Sequence, residues 1–296
     1  MEKIKISVIV PTYNRVNLLR NQVVSLMDQT LSSNSYEVIV VNDGSVDGTR
    51  EYLAEMEAKY ENLRVFHTQN GGPACARNTG LGSAVGALIA FTDDDCIVAP
   101  NWLETILAEF HDGLVGIQGF TFTDREKVTP LTHQIDNREG HNSIPTCNAA
   151  YRKDLLFEIG GFDETFPYPH NEDAAIGWQM QEMGEVKFCT GMRVYHPPRE
   201  DRFFKVAKRM NILESEFTLY RKHPELYKKY RDENPLRHIY FQVFVKTMWY
   251  YTYSRMKYWR RPKLMLQGLA LTAYWYFDLM VKYPKYRAMY HEEVWI

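Results

Sequence analysis

Short apolar runs separated by turn formers dominate the first third of the chain. Ile4 to Val10 is rich in β-branched residues and ends at Pro11, and Glu37 to Asn42, Leu63 to His67 and Ala87 to Thr92 repeat the pattern. Each has the length and composition of a buried strand. Between them the apolar period changes. Leu19, Val23, Leu26 and Met27 fall at i, i+4, i+7 and i+8, one face of a helix turned toward a sheet. Leu53, Met56 and Tyr60 mark a second helix with Asp47 as its candidate cap. Pro73, just after Asn70-Gly71-Gly72, suits the first turn of a third. Strand and helix in alternation predict a doubly wound parallel α/β sheet.

The pattern loosens after the fourth strand. Pro100 opens a helix with Leu103, Ile106, Leu107 and Phe110 inward, and Leu114 to Thr123 reads as extended. Residues 124–145 are polar and irregular, carrying Asp136, Arg138, Glu139 and His141. A loop of that length fits a lid or acceptor-binding segment, and equally a bland surface. Thr146 to Arg152 leads into a short helix ending at Gly160-Gly161. Asn171-Glu172-Asp173 then starts a helix with Ile176, Met180 and Met183 inward and Gly184 as its stop. Val186 to Phe188 and Met192 to Tyr195 read as two short extended pieces, closed by His196 before Pro197-Pro198.

Charge divides the chain near those prolines. The net charge is only -2, yet residues 1–198 hold 15 Lys and Arg against 27 Asp and Glu, whereas 199–296 hold 20 against 10. That tail also carries 23 of the 41 aromatic residues. The split predicts one domain over 1–198 and a basic, aromatic, helical region over 199–296, an acidic part that needs cations and a basic part that meets something anionic. Ile239 to Met256 and Leu264 to Val281 read as amphipathic helices, interrupted by Lys246, Arg255, Gln267 and Asp278. The second falls short of the roughly 20 apolar residues of a membrane span. Trp, Tyr, Lys and Arg together suit an anionic membrane surface, and Arg260-Arg261-Pro262-Lys263 suits phosphate head groups. A helical appendage packed on the first domain, or a homodimer contact, fits the same residues. Nucleic acid is not expected, because no binding motif accompanies the charge.

Composition adds little more. With 45% hydrophobic and 24% charged residues, disorder is not the default. Cys75, Cys96, Cys147 and Cys189 lie far apart without CxxC spacing, which predicts free thiols. Met1-Glu2-Lys3-Ile4-Lys5 runs into the first strand without a signal-peptide pattern, so a cytoplasmic location is expected, peripheral on the inner face of a membrane if the tail binds one.

The chemistry gathers around Phe91-Thr92-Asp93-Asp94-Asp95-Cys96. Three adjacent carboxylates repel one another unless a cation sits among them, and a divalent metal prefers such oxygen ligands. Ligands in doubly wound sheets bind beyond the carboxyl ends of the strands, where Pro11 to Asn14, Asp43, Gly71-Gly72 and Asp93 to Asp95 all fall. Taken singly, Asp43 also reads as a turn former before Gly44, Arg77-Asn78 as an exposed helix face, and Glu172-Asp173 as acids at a helix N-terminus. Neither GxGxxG nor GxxxxGK[ST] is present, which argues against a dinucleotide enzyme or a P-loop NTPase.

Together these residues resemble the family 2 glycosyltransferases of GT-A fold. The matching pieces are Val10-Pro11-Thr12-Tyr13-Asn14, Val41-Asn42-Asp43-Gly44-Ser45-Val46-Asp47, Gly72-Pro73-Ala74-Cys75-Ala76-Arg77-Asn78, Asp93-Asp94-Asp95, Gly160-Gly161-Phe162-Asp163-Glu164, Glu172-Asp173 and Tyr195-His196. They run in the family's order over about two thirds of the chain. The resemblance implies a mixed, doubly wound GT-A sheet with a donor-binding half over about 1–96, an acceptor half over about 97–198 and a C-terminal helical appendage. It implies a sugar nucleotide held by Pro11, Thr12, Tyr13, Asn14, Asp43, Gly72, Arg77, Asp93 and Asp94, with Asp43 accepting from the base of a UDP- or dTDP-sugar. Asp93, Asp95 and His196 would bind Mn²⁺ or Mg²⁺, Asp173 would be the catalytic base with Glu172 beside it, and Trp178 and Asn148 would face the acceptor. Core packing is the other reading of Trp178.

The implied activity is metal-dependent, inverting transfer of a sugar to a hydroxyl of a saccharide or lipid-linked glycan, in surface polysaccharide or glycan synthesis. No Gln-x-x-Arg-Trp motif follows the acidic pair, so addition of one or a few sugars is expected instead of processive synthesis. A nucleotidyltransferase would carry a glycine-rich basic loop after the first strand, and Pro11 to Arg15 is not one. A silent sugar-nucleotide-binding scaffold would have no need of the Glu172-Asp173 pair.

Overall fold

The computed structural model describes residues 4–291; Met1 to Lys3 and the last five residues of the C-terminal region, 292–296, lie outside them. The chain separates into two compact units. One takes the residues up to Thr123, then Ile135–Thr165 and Glu172–Pro197; the other takes Asp124–Gln134, Phe166–Asn171 and everything from Pro198 on. A single cut at residue 198 is therefore too simple. Leu131, far upstream of that cut, is buried with Val206, Leu271 and Trp275 of the second unit, and a charge count along the chain cannot see such packing.

In the first unit β1 (Ile6–Thr12), α1 (Val16–Met27), β2 (Tyr36–Asn42), α2 (Thr49–Lys59), β3 (Leu63–His67), α3 (Gly72–Ser83) and β4 (Leu88–Phe91) alternate as expected. There follow β5 (Ile97–Val98), α4 (Trp102–Glu109) and β6 (Leu114–Phe122); the loop after β6 contributes β7 (Thr132–His133) to the second unit. The first unit closes with β8 (Ala149–Arg152), α5 (Lys153–Glu158), α6 (Glu172–Met183) and β9 (Glu185–Tyr195). The sheet order is β3-β2-β1-β4-β8-β6-β9-β5. β3, β2, β1 and β4 are parallel, whereas β8 runs antiparallel to both β4 and β6, so the sheet is mixed.

Alternate residues of these strands serve two cores. Ile6, Val8, Val10, Val38 and Val40 face one side with Leu19 and Trp102, while Ile9, Ile39 and Val41 face the other with Leu81 and Phe162. Covered on both faces, the strands read as nearly unbroken apolar runs. Glu37 is the exception inside β2. Its buried carboxylate accepts from Ser7 Oγ at 2.6 Å, Val85 N–H at 2.7 Å and Arg64 Nη1 at 2.7 Å, tying three strands to the turn before β4.

The two extended pieces expected at 186–188 and 192–195 are one strand. β9 pairs with β6 throughout, but the register jumps between Gly119 opposite Cys189 and Phe120 opposite Arg193. Such a bulge inserts extra residues without ending the strand. Asn148 holds it: the amide donates to Met192 O at 3.0 Å and Thr121 Oγ1 at 3.3 Å, and its oxygen accepts from Trp102 Nε1 at 2.9 Å. Gly119 is required there, since a Cβ would lie 2.3 Å from both the Asn148 amide and Met192 O.

The second unit is helical apart from a ribbon of β7 with β10 (Arg199–Glu200). Its helices are α7 (Phe203–Ala207), α8 (Ser215–Lys222), α9 (Pro224–Tyr230), α10 (Pro235–Arg237), α11 (Met248–Arg255) and α12 (Pro262–His291), with a π-wound stretch from His238 to Thr247. α12 is 30 residues long, well beyond the expected Leu264 to Val281, and by length and composition alone it could cross a membrane. The residues it adds beyond Val281 include Lys282, Lys285 and Arg287, so the longer helix does not lengthen the apolar run of Leu264 to Val281.

Glu216 lies buried inside this unit. It accepts from Asn171 Nδ2 at 3.0 Å and Tyr227 OH at 2.8 Å, with Arg231 Nε at 3.7 Å and the imidazoles of His170 and His238 at 3.9 and 4.0 Å. Burial lowers both imidazoles and so favours their neutral forms, leaving Arg231 as the cation of the group. Burial alone would raise the Glu216 carboxyl; Arg231 first, then the other partners, bring it below its ordinary value. A carboxylate held this way stabilises the fold above its unfolded pKa of about 4.5 and loses that contribution as pH falls through the lower folded value. Glu216→Gln should therefore cost about 3–5 kcal/mol near pH 7 in denaturant titrations. The gap from the parent protein should close steadily as the titrations are repeated below pH 4.5.

Candidate active site

The rim at the carboxyl ends of β1, β2 and β4 is built by side chains that bind one loop to the next. Asn14 is left-handed, with φ of 52°. Its N–H donates to Ser45 Oγ at 2.8 Å and its Oδ1 accepts from Val46 N–H at 2.8 Å. Asp47 accepts from Val16 N–H at 3.0 Å and from the Thr49 hydroxyl. It thus serves the first turn of α1; the cap expected of Asp47 on α2 falls instead to Gly48, with Asp47 Oδ1 accepting from Thr49 N–H at 3.3 Å. Pro11 and Thr12 complete β1, while Tyr13 remains 47% exposed on the rim.

Asp43 has a structural occupation. Its two oxygens accept from Gly71 N–H at 2.9 Å, Gly72 N–H at 2.8 Å, Thr68 Oγ1 at 3.1 Å and Asn70 Nδ2 at 3.3 Å. Four donors fill the usual capacity of a carboxylate, so Asp43 shapes the glycine loop, and acceptance from a nucleobase would require one of these bonds to be exchanged. Gly72 needs its φ of 87°, a conformation that other residues rarely adopt.

The acidic triad divides its work. Asp94 is buried, accepting from Thr12 Oγ1 at 2.8 Å and Arg15 Nη1 at 2.9 Å. Burial pushes its carboxyl up to about 6, with Arg15 pulling the other way. Its oxygens are thus engaged by β1 and the loop that follows it. Asp93 points to Arg77, with Nη2 at 3.0 Å. Asp95 meets His196, Nε2 lying 3.5 Å from Oδ1, and Arg15 Nη1 approaches its other oxygen at 3.5 Å. His196 Nδ1 lies 3.3 Å from Pro197 O; in the tautomer that donates to that carbonyl, the lone pair sits on Nε2.

Asp95, Cys96 and His196 thus form a buried cluster of possible metal ligands within 4.8 Å. The carboxylate and imidazole fit a divalent ion. Cys96 does not fit a hard cation: its hydrogen bond with Cys147, then burial, hold the thiol well above its ordinary pKa. Of the three expected ligands the structure joins Asp95 and His196, and turns Asp93 toward Arg77.

Arg77 is the link to the second acidic site. It is buried on α3, with Nη2 on Asp93 and Nη1 3.2 Å from Glu172 Oε1 at the start of α6. Burial works against the guanidinium charge, and Asp93 followed by Glu172 more than offset it. Burial pushes the Glu172 carboxyl up, with Arg77 opposing. Asp173 is partly exposed, and its Oδ1 accepts from Ala174 N–H at 2.8 Å. Trp178 and Asn148 are not on this surface. Trp178 is fully buried on α6 and Asn148 is spent on the β9 bulge, so their acceptor assignment is corrected.

Residues 7–167, more than half of the chain, match the family model described as glycosyl transferase family 2. The chain belongs to that family. Among curated relatives it is 30% identical over 171 residues to glycosyltransferase AglE of Haloferax volcanii, covering 56% of either protein. The match thus spans little more than half of that relative, and smaller shares of others. Two solved structures share the fold. S. aureus TarS 1–349 in complex with UDP-GlcNAc superposes with a TM-score of 0.59 at 18% identity, covering 92% of this chain and 91% of that fragment. The mannosyltransferase PcManGT from Pyrobaculum calidifontis, in complex with GDP-Man and Mn²⁺, gives 0.57 at 17% identity over 100% of this chain and 88% of that one.

Two features of this family 2 site were not read from the sequence. Arg15 directly follows the Pro11 to Asn14 segment, and its position as the cation of that loop was the available signal. The Arg77–Glu172 contact joins residues 95 apart and had none. The guanidinium fork is what lets one cation serve two carboxylates, whereas an ammonium is a point charge. Arg77→Lys should cost about 1.5–3 kcal/mol of stability, read by denaturant titration.

Proposed function

We propose that this family 2 chain transfers a sugar from a nucleoside diphosphate sugar to a hydroxyl of a saccharide or lipid-linked glycan, by single displacement with inversion, in glycan or surface polysaccharide synthesis. The observation that carries the reading is the Arg77 bridge, which joins the Asp93 rim to the helix start bearing Glu172 and Asp173. The ligands named for TarS and PcManGT support a nucleotide-sugar donor in general. Because those two ligands differ in their base, the reading makes no choice among nucleobases.

In this reading Tyr13 and the Gly71-Gly72 loop border the nucleotide. Asp95 and His196 would hold Mn²⁺ or Mg²⁺, with Asp93 beside them, and the ion would neutralise charge on the departing diphosphate. Asp173 accepts the proton of the attacking hydroxyl as general base. Glu172, paired with Arg77, keeps the start of α6 in register with the rim. The second unit adds peripheral attachment to an anionic membrane surface. Support for that part comes from Trp249, Tyr253 and Trp259, which are 73, 76 and 64% exposed among basic residues.

Asp173→Asn should leave the donor dissociation constant, measured by calorimetry, within about twofold while turnover falls about 10²–10⁴-fold. Near-normal turnover would remove Asp173 from the base role. EDTA should abolish donor binding and transfer together, and added Mn²⁺ should restore both; full activity in excess chelator would overturn the metal assignment.

A further inference from the structure

We propose that Arg125, Lys257, Arg260 and Arg261 form a phosphate-binding pocket in the second unit, occupied by the head group of a membrane lipid. A cavity of about 270 Å³ lies between these four cations, with Glu126, Val128 and Tyr258 completing its wall. Its two sides come from segments 130 residues apart. Tyr258 OH donates to Val128 O at 2.8 Å and joins them, while Arg261 N–H donates to Tyr258 O at 2.7 Å and closes the turn that carries the other cations.

Lys257, Arg260 and Arg261 bring three exposed cations to one wall of the pocket, a concentration of positive potential that attracts an anion. Among the described residues Lys257, Arg260 and Arg261 make no ion pair. Lys257 and Arg260 instead lie over the rings of Tyr258 and Trp259, both at 4.9 Å. Planar guanidinium groups are matched to phosphate oxygens and bind them through paired N–H donors. The surroundings select a lipid over a free phosphate. Tyr253, Met256 and Trp259, on the same short stretch, expose large apolar surfaces beside the cations. A soluble anion leaves such surfaces in water, whereas a bilayer interface covers them.

The proposal deepens the membrane reading given above and does not depend on sugar transfer. Flotation of the full chain with vesicles tests it, using phosphatidylcholine alone or mixed with phosphatidic acid at low salt. The parent protein should float only with the mixed vesicles. Lys257→Gln/Arg260→Gln/Arg261→Gln should weaken that binding about 100-fold, the loss expected for three cations at a charged surface. Lys228→Gln/Lys246→Gln/Arg287→Gln, which removes equal charge elsewhere in the unit, should retain most of it.

Equal loss in both triple variants would overturn the pocket while leaving membrane attachment standing. Absence of binding by the parent protein would overturn attachment and lipid occupancy together. Calorimetry with inorganic pyrophosphate separates the sources: saturable, pocket-dependent binding without flotation would assign the pocket to a free phosphate and overturn the lipid. Arg261→Glu, a single exposed substitution, serves as the second variant should the triple one melt early, and unchanged flotation by it would likewise overturn the pocket.

Discussion

One guanidinium sets the distance between the two acidic parts of the site. Arg77 is buried between Asp93 at the end of β4 and Glu172 at the start of α6, and each carboxylate is held in place by the same planar group. Without that cation, Glu172 would be a buried acid with its main counter-charge gone, and desolvation would drive it toward protonation. The strand that carries Asp93 and Asp95 and the helix that carries Asp173 would then lose their common anchor. The proposed division of labour, with leaving group on one side and attacking hydroxyl on the other, presupposes that this spacing is fixed.

Around the bridge, polar side chains at strand ends are used to fasten loops before any are left for a ligand. Asp43 supports the glycine loop, Asn14 and Asp47 join the loops after β1 and β2, and Thr12 with Arg15 engages Asp94. A rim assembled in this way costs little reorganisation when a ligand arrives, since its dipoles and charges already point in fixed directions. In the proposed function the chemistry falls to Asp95 with His196, to Asp93 on its arginine, and to Asp173.

The second unit keeps its charges in two different settings. Glu216 sits inside, surrounded by donors and by Arg231, and supports the helices from within. Its exterior collects cations and large aromatic residues that the fold leaves in water. Burial makes the first group a matter of stability, and exposure makes the second a matter of partners.

The order of strands and helices in the first unit was legible because each strand is covered on both faces and each helix on one, which forces the apolar periods seen along the chain. The gathering of acids and glycines at strand ends was legible for the same reason, since local turn chemistry marks where each strand stops. Which of those groups meet was a tertiary decision. β5, just after the acidic triad, pairs with the end of β9, Ile97 opposite Tyr195, which brings His196 to Asp95, and Arg77 meets Glu172 at the start of α6, both across about a hundred residues of chain. Trp178 and Asn148 carry the residue types of a sugar-binding surface, yet packing on α6 and the β9 bulge takes them inside. Periodicity reports whether a side chain is buried by its own element. It holds no record of which distant element does the burying, and that is settled only when the strands find their neighbours.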